Sequence, residues 1–139
     1  MIQSRVHVSD LREHVGRTVT VCGWVNTLRL QSKMQFVVVR DGTGMVQVTH
    51  KRDNGPLEAQ LQALTPESAV KITGRVVDAA QVKLGGLEIV PEGVEVLNPA
   101  ATPLPIDEQT GIEHRLDWRF LDVRRRPAAQ LMFAVQTTL

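Results

Sequence analysis

Phe36-Val37-Val38-Val39-Arg40-Asp41-Gly42-Thr43-Gly44-Met45-Val46-Gln47-Val48 decides how this chain is read. Two β-rich runs flank Asp41-Gly42-Thr43-Gly44, and Asp-Gly between alternating apolar runs predicts a hairpin. Successive strand side chains point to opposite faces. Placing Val37, Val39, Val46 and Val48 inward therefore turns Met34, Phe36, Val38, Arg40, Met45, Gln47 and Thr49 outward. Phe36 and Gln47 then share one exposed face, with Arg29, Lys33, Arg40 and Lys51 around them. A ring for stacking, an amide for a base edge and cations for phosphate are what a single-stranded base requires. The alternative is that Phe36 packs into the core, where strand phenylalanines commonly go.

Working outward from the hairpin, Asp10-Leu11-Arg12-Glu13 reads as a short helix start. Asp10 is its N-cap, Glu13 reaches back to the free backbone donors, and Gly16 ends it. Arg17 to Asn26 is a first strand with Val19, Val21 and Val25 inward, and Gly23 in that row predicts a tight bend or bulge. Leu28 to Lys33 is the first loop. After the hairpin of residues 34–51, Asn54-Gly55-Pro56 breaks the sheet. Leu57, Leu61 and Leu64 then form one face of a short helix covering a barrel end. Val70 to Val77 is the fourth strand, with Val70, Ile72, Gly74 and Val76 inward. Leu87 to Leu97 is the fifth. Its inward phase runs Leu87, Ile89, then Val94, Val96, so the period slips by one across Pro91-Glu92-Gly93 and predicts a bulge there.

Five strands with one short helix between the third and fourth predict an all-β fold, a five-stranded Greek-key OB barrel. An SH3-like barrel is the alternative, but it usually lacks that helix. An OB barrel binds ligands on strands two and three and on the loops between strands one and two and strands four and five. Those places hold Phe36, Gln47, Arg29, Lys33 and Lys83.

The 139 residues suit one domain, or one domain with part of another. Net charge is near neutral but uneven: residues 1–52 carry eight Lys or Arg against three Asp or Glu, residues 78–117 two against eight. A polyanion would meet the first segment. Cys22 is the only cysteine, which excludes an internal disulfide and suits a small packing residue. No apolar run approaches membrane-spanning length and no signal peptide is evident, so a soluble cytoplasmic protein is expected. His7, His14, His50 and His114 share no metal-site spacing. Gly42-Thr43-Gly44 lacks the lysine and spacing of a phosphate-binding loop.

Pro99, Pro103 and Pro105 make residues 99–111 a stiff linker or hinge between a barrel over 1–98 and a segment over 112–139. In that segment Ile112, Leu116 and Phe120 recur every four residues. Pro127 opens a helix whose apolar row is Leu131, Val135 and Leu139. The helix lacks a terminal cap and a partner layer, so a larger domain is expected to have been cut away. Arg124-Arg125-Arg126 suits either a nucleic-acid backbone or carboxylates at a boundary.

Gly23-Trp24-Val25, Phe36, Arg40-Asp41 and Gly44-Met45-Val46-Gln47-Val48 together resemble the N-terminal anticodon-binding domain of class II aspartyl-tRNA synthetases. Leu87-Glu88-Ile89, Val96-Leu97-Asn98 and Thr102-Pro103-Leu104-Pro105 are similar to the archaeal-type branch. Arg115-Leu116-Asp117-Trp118-Arg119-Phe120-Leu121-Asp122-Val123-Arg124-Arg125 resembles the lead into the catalytic domain. The resemblance covers nearly the whole chain. It implies that Phe36 stacks on the middle anticodon uracil, Gln47 bonds that base's edge, Arg29 contacts the anticodon and Glu88 meets the first base, a guanine.

The resemblance also implies ATP and Mg²⁺ in the full-length enzyme, none of it held by this chain and no catalytic residue within it. Its implied partners are a tRNA anticodon loop and a second copy of the full-length enzyme. Two departures fall near the bases: Leu30-Gln31-Ser32-Lys33 replaces an Asp-Leu-Gly-Gly-like turn, and Asn26 stands where a bulky residue is common. They raise the expectation of an enzyme that also charges asparagine tRNA. A stand-alone OB protein holding single-stranded nucleic acid, and a structural or protein-binding barrel with Phe36 buried, are the other readings.

Overall fold

The computed structural model describes residues 5–139, so residues 1–4 of the expected first domain lie outside it. Its first element is a 3-10 helix, Val8–His14. Then come β1 (Thr18–Leu30), β2 (Met34–Asp41), β3 (Gly44–Lys51), α1 (Pro56–Gln62), β4 (Ala69–Asp78) and β5 (Leu87–Asn98). The strands close in the order β1-β2-β3-β5-β4, the five-stranded barrel expected, with its helix after β3. Alternation builds the core: Val19, Val21, Val25, Val37, Val39, Val46, Val48, Val70, Ile72, Val76 and Ile89 all point inward and are buried. Each contributes about 1.5 to 3 kcal/mol. Leu11, Leu61 and Leu64 join the same cluster from the 3-10 helix, α1 and the turn beyond it.

Closing so few strands needs sharp bends, and glycine supplies them. β1 pairs with β4 from Thr18 to Trp24 and with β2 from Trp24 to Leu30. Gly23 sits just before that change of partner, where a Cβ would run into the Arg40 carbonyl. Gly74 does the same for β4: a Cβ there would lie 2.5 Å from the Val90 oxygen and 2.9 Å from Pro91 Cα. The slip expected in β5 is present. Thr73 pairs with Gly93 and Gly74 with Pro91, leaving Glu92 as the extra residue.

Three expectations need correcting. Asp10 is not the helix cap, because Val8 already begins the helix. Its Val8 N–H donates to Asp41 Oδ2 (2.9 Å) and its Ser9 N–H to Thr43 Oγ1 (3.1 Å), so groups from the hairpin turn do the capping. Leu28–Leu30 belongs to β1, which shortens the first loop to Gln31–Lys33. Val96, expected inward, is 45 % exposed although it pairs with buried Val70; a second register shift follows it, leaving Leu97 as an extra residue before Asn98 pairs with Ala69.

The chain divides into two compact units, one ending at Thr102 and one starting at Pro103. The second holds α2 (Ile112–Asp117), α3 (Arg119–Arg125) and α4 (Pro127–Thr138). Asp122 fastens it internally. Arg115 donates two hydrogen bonds to its carboxylate (3.0 and 3.1 Å), and Arg126 Nε lies 2.7 Å from Oδ1. The Arg115 hydrogen bonds outweigh burial and hold the Asp122 carboxyl below its usual range. One arginine of the 124–126 run thus meets a carboxylate.

Two measurements check the barrel. Gly74→Ala must displace backbone and is expected to cost about 1 to 3 kcal/mol in urea unfolding. Gly93→Ala, with nothing within 4 Å of its Cβ, should change stability by less than about 0.5 kcal/mol. The second concerns Asp41. Burial alone would raise its pKa, but hydrogen bonds from the Thr43 hydroxyl and from the Val8, Thr43 and Gly44 N–H groups outweigh it, and the net shift is below 3.8. A depressed folded-state pKa stabilises above the unfolded value and is lost as pH falls through the folded one. Stability should therefore drop below about pH 4, and less steeply in Asp41→Asn.

Candidate nucleic-acid interface

β2 and β3 present their outward rows side by side: Phe36 pairs with Thr49, and Val38 with Gln47. β1 adds Arg29 opposite Phe36, and β5 adds Glu88 opposite Gln47 through the parallel β3–β5 pairing. Arg29, Phe36, Gln47, Thr49 and Glu88, with Lys83 from the β4–β5 loop, line one groove of about 600 Å³. The structure thus gathers Arg29, Phe36, Gln47, Lys83 and Glu88.

Phe36 is half-buried and stands outside the core cluster, contrary to the reading that buries it. The Arg29 guanidinium carbon lies 4.5 Å from its ring centroid. At a solvent-facing site such a pair contributes about 0.5 to 1 kcal/mol and keeps the long arginine over the ring. Gln47 Nε2 donates to Thr49 Oγ1 at 3.1 Å, so the amide oxygen is its unspent acceptor. Glu88 is the carboxylate of the groove. Stacking is sequence-tolerant, whereas an amide oxygen and a carboxylate accept from N–H groups, whose positions along the base edge differ from one base to another.

Asn26, Lys33, Lys51 and Arg40 do not line this groove. Asn26 is the residue bulged out between Val25 and Thr27 of β1, and its Oδ1 accepts from Arg40 Nη1 at 2.7 Å. Lys33 lies in the β1–β2 turn, where its carbonyl accepts from Arg52 N–H. Lys51 pairs with Met34 at the hairpin's open end. Arg40, expected outward among the cations, is buried. It makes a bidentate pair with Glu67 (3.0 and 2.8 Å), both side chains being 7 % exposed or less. Glu67 reaches it from a backbone with φ +69°, a conformation that costs a non-glycine residue about 1 to 3 kcal/mol.

The groove also takes in Met34, Thr49, Gln81, Val82 and Leu84. Alternation had put Met34 and Thr49 on this face without giving them a role; the loop residues carry no periodic signal. A second groove of about 540 Å³, lined in part by Val15, Arg75, Val76, Val90 and Glu92, contains no aromatic ring. Among the described residues no group of three or more His, Cys, Asp or Glu could hold a metal ion. No described helix is long and apolar enough to cross a membrane.

A closed five-strand barrel that offers a ring, an amide, a carboxylate and two cations in one groove is of the nucleic-acid-binding class. Residues 19–97, which cover β1 to β5, match the tRNA anti-codon family, described as an OB-fold nucleic acid binding domain, and the chain belongs to that family. It is similar, 38 % identical over 97 % of its length, to an aspartate–tRNA(Asp) ligase of Thermoplasma volcanium. It is 35 % identical over 95 % to an aspartate–tRNA(Asp/Asn) ligase of Archaeoglobus fulgidus. Among solved structures, asparaginyl-tRNA synthetase from Pyrococcus horikoshii complexed with asparaginyl-adenylate superimposes with a TM-score of 0.82, at 31 % identity over 99 % of this chain. In each case the chain spans 32 % of the relative.

The Arg40–Glu67 pair separates structural from binding roles. Glu67→Gln leaves a buried guanidinium without its counter-charge and should cost about 3 to 5 kcal/mol in thermal or urea unfolding. Nucleic-acid affinity of the remaining folded fraction should be unchanged.

Proposed function

We propose that this chain reads the anticodon loop of a tRNA as the N-terminal part of an archaeal-type aspartate–tRNA ligase. The observation that carries the proposal is the groove in which Phe36, Gln47, Glu88, Arg29 and Lys83 converge. Phe36 offers a stacking surface to the middle anticodon base. Gln47, its Nε2 engaged by Thr49, offers Oε1 to an imide N–H such as that of uracil. Glu88 on the neighbouring strand suits the amino and ring N–H donors of a guanine in the first position. Arg29 and Lys83 meet the phosphates. The relatives that match along nearly the whole chain support this reading.

On this proposal, activation of aspartate with ATP and Mg²⁺, and its transfer to tRNA, belong to a catalytic domain outside these residues. Residues 112–139 would open that domain, through which the cytoplasmic enzyme would form a homodimer. The exposed side chains of Ile112 and Leu116 on α2 and of Phe120 on α3 support a packing role for this segment. The groove residues address the two anticodon bases that aspartate and asparagine tRNAs share. We therefore propose a reader that accepts both.

The test is binding, at one fixed salt concentration, to stem-loops with the aspartate anticodon, the asparagine anticodon, or the middle uracil replaced. The proposal expects the first two to bind alike and the third to bind more weakly. Preference for the aspartate loop would make the reader discriminating, and equal binding of all three would leave a general single-stranded nucleic-acid barrel. Phe36→Ala should weaken binding of the aspartate loop by about 1 to 3 kcal/mol.

A further inference from the structure

The 3-10 helix Val8–His14 lies upstream of the matched residues 19–97, and the reading above gives it no role. Its contacts run to two separate parts of the barrel. At its start, the Val8 and Ser9 N–H groups are held by Asp41 and Thr43 of the β2–β3 turn. Near its end, Arg12 Nη2 donates to the Gly85 carbonyl, and Arg12 Nη1 lies 3.6 Å from Asp78 Oδ1. Asp78 ends β4, and Gly85 stands just before β5 begins. Arg12 therefore grips both ends of the loop that carries Gln81, Val82, Lys83 and Leu84 into the groove.

That loop is anchored from below by the buried side chains of Ala79 and Val82, while Gln81 and Lys83 are exposed. It turns on itself through Val82 N–H to Ala79 O (2.9 Å), Gly86 N–H to Val82 O (3.1 Å) and Ala79 N–H to Gly86 O (2.9 Å). Gly85 and Gly86 both have positive φ, +72° and +68°, so the turn relies on backbone that glycine alone adopts readily. A Cβ on Gly86 would stand 3.4 Å from Arg12 Nη2, so the guanidinium lies against this turn. One cation with several donors in a planar fork can hold a carbonyl and a carboxylate together, which a lysine does less well.

We propose that Arg12 is a positioning residue for nucleic-acid binding: the 3-10 helix is a strap, fixed at the β2–β3 turn, whose arginine sets the β4–β5 loop and so places Lys83 along the groove. This rests on the anticodon-reading proposal for what the groove binds, though the strap itself does not. Arg12 is 59 % exposed, so direct contact with phosphate is the competing account, and a double-mutant cycle with Lys83 separates the two. A residue that acts by placing Lys83 loses its effect once Lys83 is removed, whereas an independent phosphate contact is lost additively.

The experiment uses the whole chain and the aspartate-anticodon stem-loop, with Arg12→Ala, Arg12→Lys, Asp78→Asn and Lys83→Ala. In the RNA-free protein, Arg12→Ala and Asp78→Asn should both move the backbone amide resonances of Gln81 to Leu84. Arg12→Ala should then bind about fivefold more weakly, and Arg12→Lys should recover part of that loss. Lys83→Ala should lower the salt slope by about 0.7, and adding Arg12→Ala to it should cost little further affinity. Unmoved loop resonances in Arg12→Ala, unchanged affinity, or a full further loss of about fivefold when Arg12→Ala is added to Lys83→Ala would each overturn the proposal. If the wild-type chain bound a loop without the middle uracil equally well, the anticodon reading would fail. The resonances of the free protein would still decide whether the strap holds.

Discussion

Closure of the barrel is the constraint on which the rest depends. β3 and β5 meet in parallel through only two residue pairs, Gln47 with Glu88 and Val48 with Ile89. Parallel pairing cannot be made by a hairpin, so α1, β4 and the β4–β5 loop must intervene before the chain returns. Those two pairs bury Val48 and Ile89 on the inner side. On the outer side they set an amide beside a carboxylate. Fold and groove are opposite faces of one contact, and the bends at Gly23, Gly74 and the extra Glu92 in β5 allow the sheet to curve far enough to make it.

Charge acts locally here. The basic excess of the first 52 residues suggests a broad cationic surface, but much of it is already engaged. Arg40 is buried against Glu67, Arg12 lies near Asp78, and Arg52 Nη1 is 3.3 Å from Glu58. The groove retains Arg29 and Lys83, and Glu88 among them subtracts from any general pull on a polyanion. Such a site draws selectivity from stacking and base-edge hydrogen bonds, with fewer phosphate contacts than a wholly basic face would make.

What the sequence disclosed follows from the range of each interaction. Period-two alternation is local, so the inward valines, the shared face of Phe36 and Gln47, and the phase slip at Pro91-Glu92-Gly93 were all legible. Arg40 was not. Alternation puts it outward, and its charge partner there is Glu67, 27 residues away and in a left-handed backbone, with Asn26 accepting a further hydrogen bond. Asp10 failed as a cap for the same reason, since the donors at the helix start are taken by Asp41 and Thr43, 33 and 34 residues downstream. The resemblance drew Asn26 toward the bases, but a β-bulge delivers it to Arg40. The loop residues Gln81, Val82 and Leu84 enter the groove through chain closure, which no window of sequence expresses.

The central claim is that the groove between β2, β3 and the β4–β5 loop is the surface that meets the anticodon loop. Titrating the isotope-labelled chain with the aspartate-anticodon stem-loop and following backbone amide resonances tests it most directly. The account predicts saturable changes concentrated at Arg29, Phe36, Gln47, Thr49, Lys83 and Glu88, with Val15, Arg75 and Val90 of the second groove unmoved. Changes centred on that second groove, with the Phe36 and Gln47 amides unmoved, would contradict it.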